Sequence, residues 1–288
     1  MLRELREEDA VQVAALFVAS FGDARKLDAE EVRSWFRNAE LEPAWLRVLE
    51  EDGRVVGYGD VHPQQSALDV DVAAPGRWDV FFDWAEREAR ARGLARVRTQ
   101  VPHGHPLADV VRARGYVPWR HSLTMEIALD DEPAQVNLPP GLELRTFRDD
   151  DGEMLRAALN EAFAADPFWT DVSPASFREF YLAARGFDPD LWLLAWDAGE
   201  LAGFSLCYPV RGSDDALGWV ATLGVRPSWR RRGLGEALLR SSFAVLHGRG
   251  LRRVGLGVDA ENVTGALRLY ERVGMRSVRR SDNWAKDL

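Results

Sequence analysis

The sequence predicts an α/β protein made of two tandem copies of one domain, each a mixed, mostly antiparallel sheet flanked by helices. Three observations carry this. LRELREEDAVQVAALFVASF, from Leu2, and LRTFRDDDGEMLRAALNEAF, from Leu144, share an apolar-Arg strand, an acidic run and an amphipathic helix, in that order, at an offset of 142 residues. RGLARVRTQV (Arg92 to Val101) matches RGLRRVGLGV (Arg249 to Val258), and RARGY (Arg112 to Tyr116) matches ERVGM (Glu271 to Met275), at offsets of 157 and 159, so order survives modest insertions. Within the second copy alternating strands come first, then strand, helix, strand, helix, strand, an order that asks for a central mixed sheet. A repeat this long is a duplicated domain rather than a solenoid. The copies are predicted over 1–130 and 142–288, with the proline-rich DEPAQVNLPPG across 131–141 as linker.

The second copy can be read element by element. GLELRTF alternates as a strand does, and DDGEMLRAALNEAF follows as a helix with acids in its first turn, where the helix dipole favours them. SPASFREFYLAARG reads as a helix with Ser173 as N-cap and proline at the first helical position. LWLLAWDAGELAGFSLCYPV gives two strands about the turn DAGE, and GWVATLGV a further strand. GLGEALLRSSFAVLHGRG has apolar residues at helical spacing and closes on glycines. RRVGLGVD is a short strand, NVTGALRLYERVG a helix ended by Gly274, and MRSVRR with the last residues supplies terminal strands.

Composition sets limits. A chain of 288 residues, 46% hydrophobic and 29% charged, is globular and long enough for two domains. It holds no run of eighteen or more apolar residues, and its N-terminus is charged, so neither a membrane span nor a signal peptide is expected. The single cysteine, Cys207, lies in the apolar run FSLCYPV and reads as a buried strand residue, which fits a cytoplasmic location. The net charge of -9 falls mainly on the first copy, and no basic domain exists to bind nucleic acid. Only Lys26 and Lys286 are lysines, so an arginine cluster carries less weight here than in a balanced sequence. His103 and His105 lack further ligands at metal-binding spacing and read as a turn before a helix, so no metal is expected.

The segment VRPSWRRRGLGEALL, Val225 to Leu239, concentrates the chemistry. A strand entering a helix through Arg230, Gly233 and Gly235 exposes backbone N–H groups at a helix N-terminus with no side chains over them. With Arg226, Arg230, Arg231 and Arg232 beside them, these amides suit a phosphate or pyrophosphate; a solvated arginine-rich turn is the plainer reading of the short motif alone. A Walker loop would need a lysine that is absent, and a dinucleotide fingerprint would need glycine at position 238, which is leucine.

Taken together, V-x-P-x-W-R-x-x-G-x-G-x-x-L-L and the later GLGVDAENVTGALRLYERVGM resemble the paired cofactor motifs of the GCN5-related N-acetyltransferase (GNAT) superfamily, in a tandem layout. The resemblance implies acetyl-CoA as co-substrate. Its pyrophosphate would lie on the amides of Arg231, Arg232, Gly233, Leu234, Gly235 and Glu236, and its pantetheine arm along Leu223, Gly224 and Val225, in a gap between two parallel strands. Asn262 and Tyr270 stand where the family contacts the pantetheine arm and the thioester region. The Val225 amide would polarise the thioester carbonyl and Tyr270 would protonate the departing thiolate, while Asn262 also reads as a helix N-cap.

The family's frequent strand glutamate is missing, since GWVATLGV holds no carboxylate. Glu161, Asp166, Asp171 and Asp259 are the remaining candidate bases, each with a simpler structural reading. In the first copy Arg230, Gly233 and Gly235 fall on Ala73, Gly76 and Trp78, while Asn262 and Tyr270 fall on His105 and Val111. That copy is expected to be noncatalytic. The implied function is acetyl transfer from acetyl-CoA to a primary amine, expected on a small molecule. The rival readings are a noncatalytic acyl-CoA-binding scaffold and a transferase of longer acyl groups. Nothing in the pattern fixes the oligomeric state.

Overall fold

The computed structural model describes residues 1–22, 27–37, 42–64, 67–134, 136–166, 169–184, 186–209, 216–261 and 265–288. Contacts gather the chain into two units. Unit 1 comprises Met1–Leu123, Asp259–Glu261 and Arg279–Leu288, and unit 2 comprises Thr124–Val258 and Asn262–Val278.

Unit 1 is built from β1 (Leu2–Glu4), α1 (Ala10–Phe21), α2 (Ala29–Trp35), β2 (Leu46–Glu51), β3 (Arg54–Gln64), β4 (Ala67–Ala73), α3 (Trp78–Ala91), β5 (Arg96–Pro102), α4 (Leu107–Ala113) and the first part of β6 (Val117–Ala128). Strands β1 to β4 pair antiparallel in sequence order, and β4 pairs parallel with β5. The strand on the far side of β5 comes from the end of the chain: in β12 (Arg276–Asp287), Ser281 to Asp287 pair antiparallel with Pro102 to Arg96. Alternation along the strands sends Val48 and Tyr58 toward Phe17 and Val32 of α1 and α2. It sends Leu49, Val70 and Val72 toward Phe81, Phe82 and Ala85 of α3.

Unit 2 repeats the plan with β7 (Leu142–Thr146), α5 (Gly152–Phe163), α6 (Pro174–Phe177), β8 (Trp192–Asp197), β9 (Glu200–Tyr208), β10 (Leu217–Val225), α7 (Leu234–Gly248), β11 (Arg253–Asp259) and α8 (Ala266–Arg272). Its strand order is β6, β11, β10, β9, β8, β7, with β10 and β11 parallel. Trp192, Leu194 and Trp196 face the α5 side, and Leu193 and Ala195 face α7. Because both faces are covered, β8 reads as the unbroken apolar run WLLAW.

The repeat is kept at the level of side-chain geometry. Arg3 grips Asp9 at 2.7 and 2.9 Å, and the Arg6 amide donates to Asp9 at 2.8 Å. At the offset of the repeat, Arg145 grips Asp151 at 2.6 Å through both terminal nitrogens, and the Arg148 amide donates to Asp151 at 2.7 Å. The sequence repeat is read over 1–130 and 142–288, whereas contacts place 279–288 in unit 1 and 124–130 in unit 2. Strand pairing is the reason, since the last strand of each copy completes the sheet of the other unit.

The predicted helix over SPASFREFYLAARG is shorter and wider than its periodicity suggests. Ser173 caps it by accepting the Ser176 amide at 3.0 Å, with Pro174 first in the helix, but Arg178–Leu182 open into a π-turn. The predicted helix from Asn262 is present as α8, and Asn262 itself lies outside the described residues.

Candidate active site

The site begins where two parallel strands part. β10 pairs with β11 only at Leu217, Gly218 and Trp219, yet both strands run on, to Val225 and to Asp259. A bulge at Ala221, where the register with β9 shifts between Val220 and Thr222, re-aims the strand at this point. Beyond it the pairing with β9 fixes where the backbone points. The Arg226 amide donates to the Ala202 carbonyl at 3.0 Å, which marks that pair as hydrogen-bonded. Antiparallel pairs alternate, so Gly224 is bonded to β9 while Leu223 and Val225 turn their N–H and C=O groups to the opposite edge, into the gap. Gly224 has a packing reason to be glycine: a Cβ there would sit 2.2 Å from Cζ of Phe204, its cross-strand partner.

The chain then turns into α7. Gly233 is the N-cap in the left-handed conformation, at φ +83°, and no side chain caps the helix. The Ala237 amide is the first to find a helical carbonyl, that of Gly233 at 3.1 Å. The amides of Leu234, Gly235 and Glu236 therefore stand open at the positive end of a 15-residue helix. At Gly235 an added Cβ would lie 3.5 Å from Leu269 and 3.7 Å from Val225, so the strand end, the start of α7 and α8 converge there. Glu236 links the two helices, holding Arg240 at 2.9 Å and Arg272 at 3.3 Å.

The four arginines divide into two pairs. Arg226 donates to Glu161 at 2.6 Å and to the Leu201 carbonyl at 2.9 Å, and its guanidinium lies over the Trp229 ring. Arg230 donates to the Val225 carbonyl at 2.9 Å and to the Ala162 carbonyl at 2.7 Å, near the C-terminal end of α5, where a cation complements the dipole. These two fasten the loop to α5. Arg231, at φ +62°, and Arg232 are exposed and have no partner among the described residues. The sequence grouped Arg230 with the anion ligands, and here its side chain bonds two backbone carbonyls.

Tyr270, on α8, is 8% exposed, and burial pushes its phenol up to about 12. No hydrogen bond holds its hydroxyl among the described residues, and desolvation is the cause of the shift. The candidate bases are differently placed. Glu161 is held by Arg226, and Asp259 is held by Arg120 while accepting the Glu261 amide at 3.0 Å. Asp166 anchors a turn, where its carbonyl accepts the Trp169 amide at 3.0 Å. Asp171 lies by Arg156. Cys207 is fully buried beside Ser205 and Ser242, and burial pushes its thiol up to about 11, an inert strand residue.

In unit 1 the same strands part: among the described residues β4 and β5 pair only at Ala67, Leu68 and Asp69. The segments that follow them close on each other. Trp78 packs edge-on against His105 with centroids 5.9 Å apart, and His105 lies 5.1 Å from Phe21 and bonds the Ser20 carbonyl at 2.7 Å. Among the described residues no group of three or more metal-binding side chains is found. No helix of the described residues is long and apolar enough to cross a membrane.

Unit 2 thus holds a sheet parted at its middle, with outward-turned backbone leading to an uncapped helix; similarity to known acetyltransferases makes the chain an acyltransferase. The family model described as "Acetyltransferase (GNAT) family" matches residues 153–275. A mycothiol acetyltransferase of Geodermatophilus obscurus is 32% identical over 246 residues, covering 77% of this chain and 76% of that protein. A GCN5-related N-acetyltransferase from Sphaerobacter thermophilus is similar in structure, with a TM-score of 0.78 and 29% identity over 100% of this chain and 95% of that one. A tandem GNAT protein from the clavulanic acid biosynthesis pathway shares the fold, with a TM-score of 0.77 at 18% identity over 100% and 98% of the two chains. The chain belongs to the GNAT family of acetyltransferases, in its tandem form.

Proposed function

We propose that unit 2 transfers an acetyl group from acetyl-CoA to the primary amine of a small molecule in the cytoplasm, and that the first copy, without an anion loop, is noncatalytic. The observation that carries this is the outward turn of Leu223 and Val225 into a gap that ends at the open amides of Leu234, Gly235 and Glu236. These residues fit acetyl-CoA. The amides from Arg231 to Glu236, with the Arg231 and Arg232 side chains, would hold the pyrophosphate, and Leu223, Gly224 and Val225 would present a strand edge to the pantetheine amides, with Asn262 as a further contact.

The co-substrate supplies an activated thioester, and the chain supplies position and protons. The Val225 N–H donates to the thioester carbonyl as charge builds on its oxygen, an interaction worth more in a site shielded from water. Tyr270 donates its phenolic proton toward the departing sulfur. With its phenol pushed up to about 12, Tyr270 stays protonated throughout the neutral range, so its hydrogen is always available. Because Glu161 and Asp259 are held in ion pairs, the acceptor enters as the neutral amine. Relatives named mycothiol acetyltransferase support a small-molecule acceptor.

The test is calorimetry with acetyl-CoA together with release of free CoA thiol in the presence of amines. Wild-type protein should bind and release thiol, and Gly235→Trp should abolish binding by placing an indole beside Leu269 and Val225. Undiminished binding by Gly235→Trp would refute the placement.

A further inference from the structure

A cavity of about 370 Å³ opens against the bulge of β10, lined by Phe180, Tyr181, Ala184, Tyr208, Ala221 and Thr222. It adjoins the strand where β10 leaves β11, since Thr222 directly precedes Leu223. We propose that this cavity holds the acceptor, and that the acceptor is an arylalkyl amine, a neutral primary amine on a flat apolar body, rather than an amino sugar. The proposal rests on the acetyl-transfer reading above.

Three features of the wall select that class. Three aromatic rings and two alanine methyls give flat apolar faces, and Phe180, itself 49% exposed, stands in the π-turn at Arg178–Leu182. Phe177 stacks on Tyr181 with centroids 5.3 Å apart, which fixes one of those rings. The hydroxyls of the wall already satisfy protein groups: Tyr208 donates to the Tyr181 carbonyl at 3.2 Å, and the Tyr181 phenol bonds the Thr222 side chain. A polyhydroxylated acceptor would bury hydroxyls with few partners, each at a cost, whereas an aryl group asks for none. None of the described lining residues is a carboxylate, and the amine is taken up in its neutral form. The volume is at the small end of the range of about 300–1,000 Å³ for ligand pockets, which suits one ring and a short chain. In the step itself the amine nitrogen bonds to the thioester carbonyl carbon and the carbon–sulfur bond breaks. The nitrogen loses one proton to water, Tyr270 gives its phenolic proton to the sulfur, which leaves as thiol, and the phenol regains a proton from solvent.

The experiment compares 2-phenylethylamine with glucosamine in the thiol-release assay on the full chain. The expected result is a kcat/KM about 100-fold higher for phenylethylamine. Phe180→Ala should raise the KM for phenylethylamine about tenfold and leave that for glucosamine unchanged, because only the aryl group loses a stacking face. Equal or better turnover of glucosamine, or a Phe180→Ala effect equal for both amines, would overturn the acceptor class while leaving acetyl transfer intact. Release with neither amine would refute the acetyl-transfer reading. The acceptor class would then be judged by saturation-transfer NMR of phenylethylamine in the presence of CoA, which needs no turnover, and absence of ring contacts there would overturn it as well.

Discussion

Replacing Tyr270 by phenylalanine separates a catalytic hydroxyl from a structural one. A buried tyrosine whose hydroxyl is bonded to protein loses about 1 kcal/mol when that group is removed. The Tyr270 hydroxyl has no such partner among the described residues, while its ring is buried and stays in place as phenylalanine. The variant should therefore keep its stability to within about 0.5 kcal/mol, a Tm shift under about 2 °C. Turnover should fall about 100-fold or more, since loss of a general acid removes about 3 kcal/mol from transition-state stabilisation. The assays are thermal unfolding, thiol release and acetyl-CoA calorimetry on one preparation. Tyr208→Phe is the control, because it breaks a bond of 3.2 Å to the Tyr181 carbonyl and should destabilise by about 1 kcal/mol. The pH profile adds a second check. A phenol held near 12 loses no proton between about pH 6 and 10, so the rate should climb with the neutral amine fraction and show no falling limb. Turnover of Tyr270→Phe within about fivefold of wild type, or equal losses in turnover and acetyl-CoA affinity, would refute the acid role.

Other outcomes follow from the same geometry. Arg230→Ala should lower stability by about 2 kcal/mol, because it releases the Val225 and Ala162 carbonyls, whereas the double change Arg231→Ala, Arg232→Ala should weaken acetyl-CoA binding and its salt dependence with stability unchanged. Gly224→Ala should cost about 1–3 kcal/mol by driving a methyl into the Phe204 ring, seen as a lower denaturant midpoint, and shortening position 204 in the same chain should restore part of the loss. Hydrogen bonding from Arg145 holds the Asp151 carboxyl below its usual range, so its stabilisation is complete above about pH 4 and fades as pH falls through the lowered value. Asp151→Asn should then be less stable at neutral pH, and its unfolding, followed by circular dichroism, should depend less on acid below about pH 4.

Much of this was legible because duplication and periodicity are properties of sequence. The Arg3–Asp9 and Arg145–Asp151 pairs show the repeat surviving as geometry, and the strand, open helix start and second helix of unit 2 fall where their residues predict. Partner choice was not legible. Nothing in VRRSDNWAKDL says that it pairs with Arg96 to Pro102 rather than with its own copy, because a strand's pattern specifies a buried face and not a neighbour. The arginines illustrate a second limit: four cations in seven residues look alike in sequence, and only the carbonyls of Val225 and Ala162 distinguish Arg230 from Arg231. The pocket was missed for a related reason. Phe180, Tyr181 and Ala221 are unremarkable residues until a π-turn and a bulge bring them to one wall.

The traded terminal strands bear on why a copy lacking the anion loop is kept. A gene cut at the linker would yield two fragments, each with its own last strand but without the one that stands in its sheet, and each with a raw edge open to pairing with other chains. Loss of either copy would thus leave the sheet edge of the other open. The exchange ties the final strand of each copy to a sheet built mostly from the other, so a change in either final strand is felt outside its own copy.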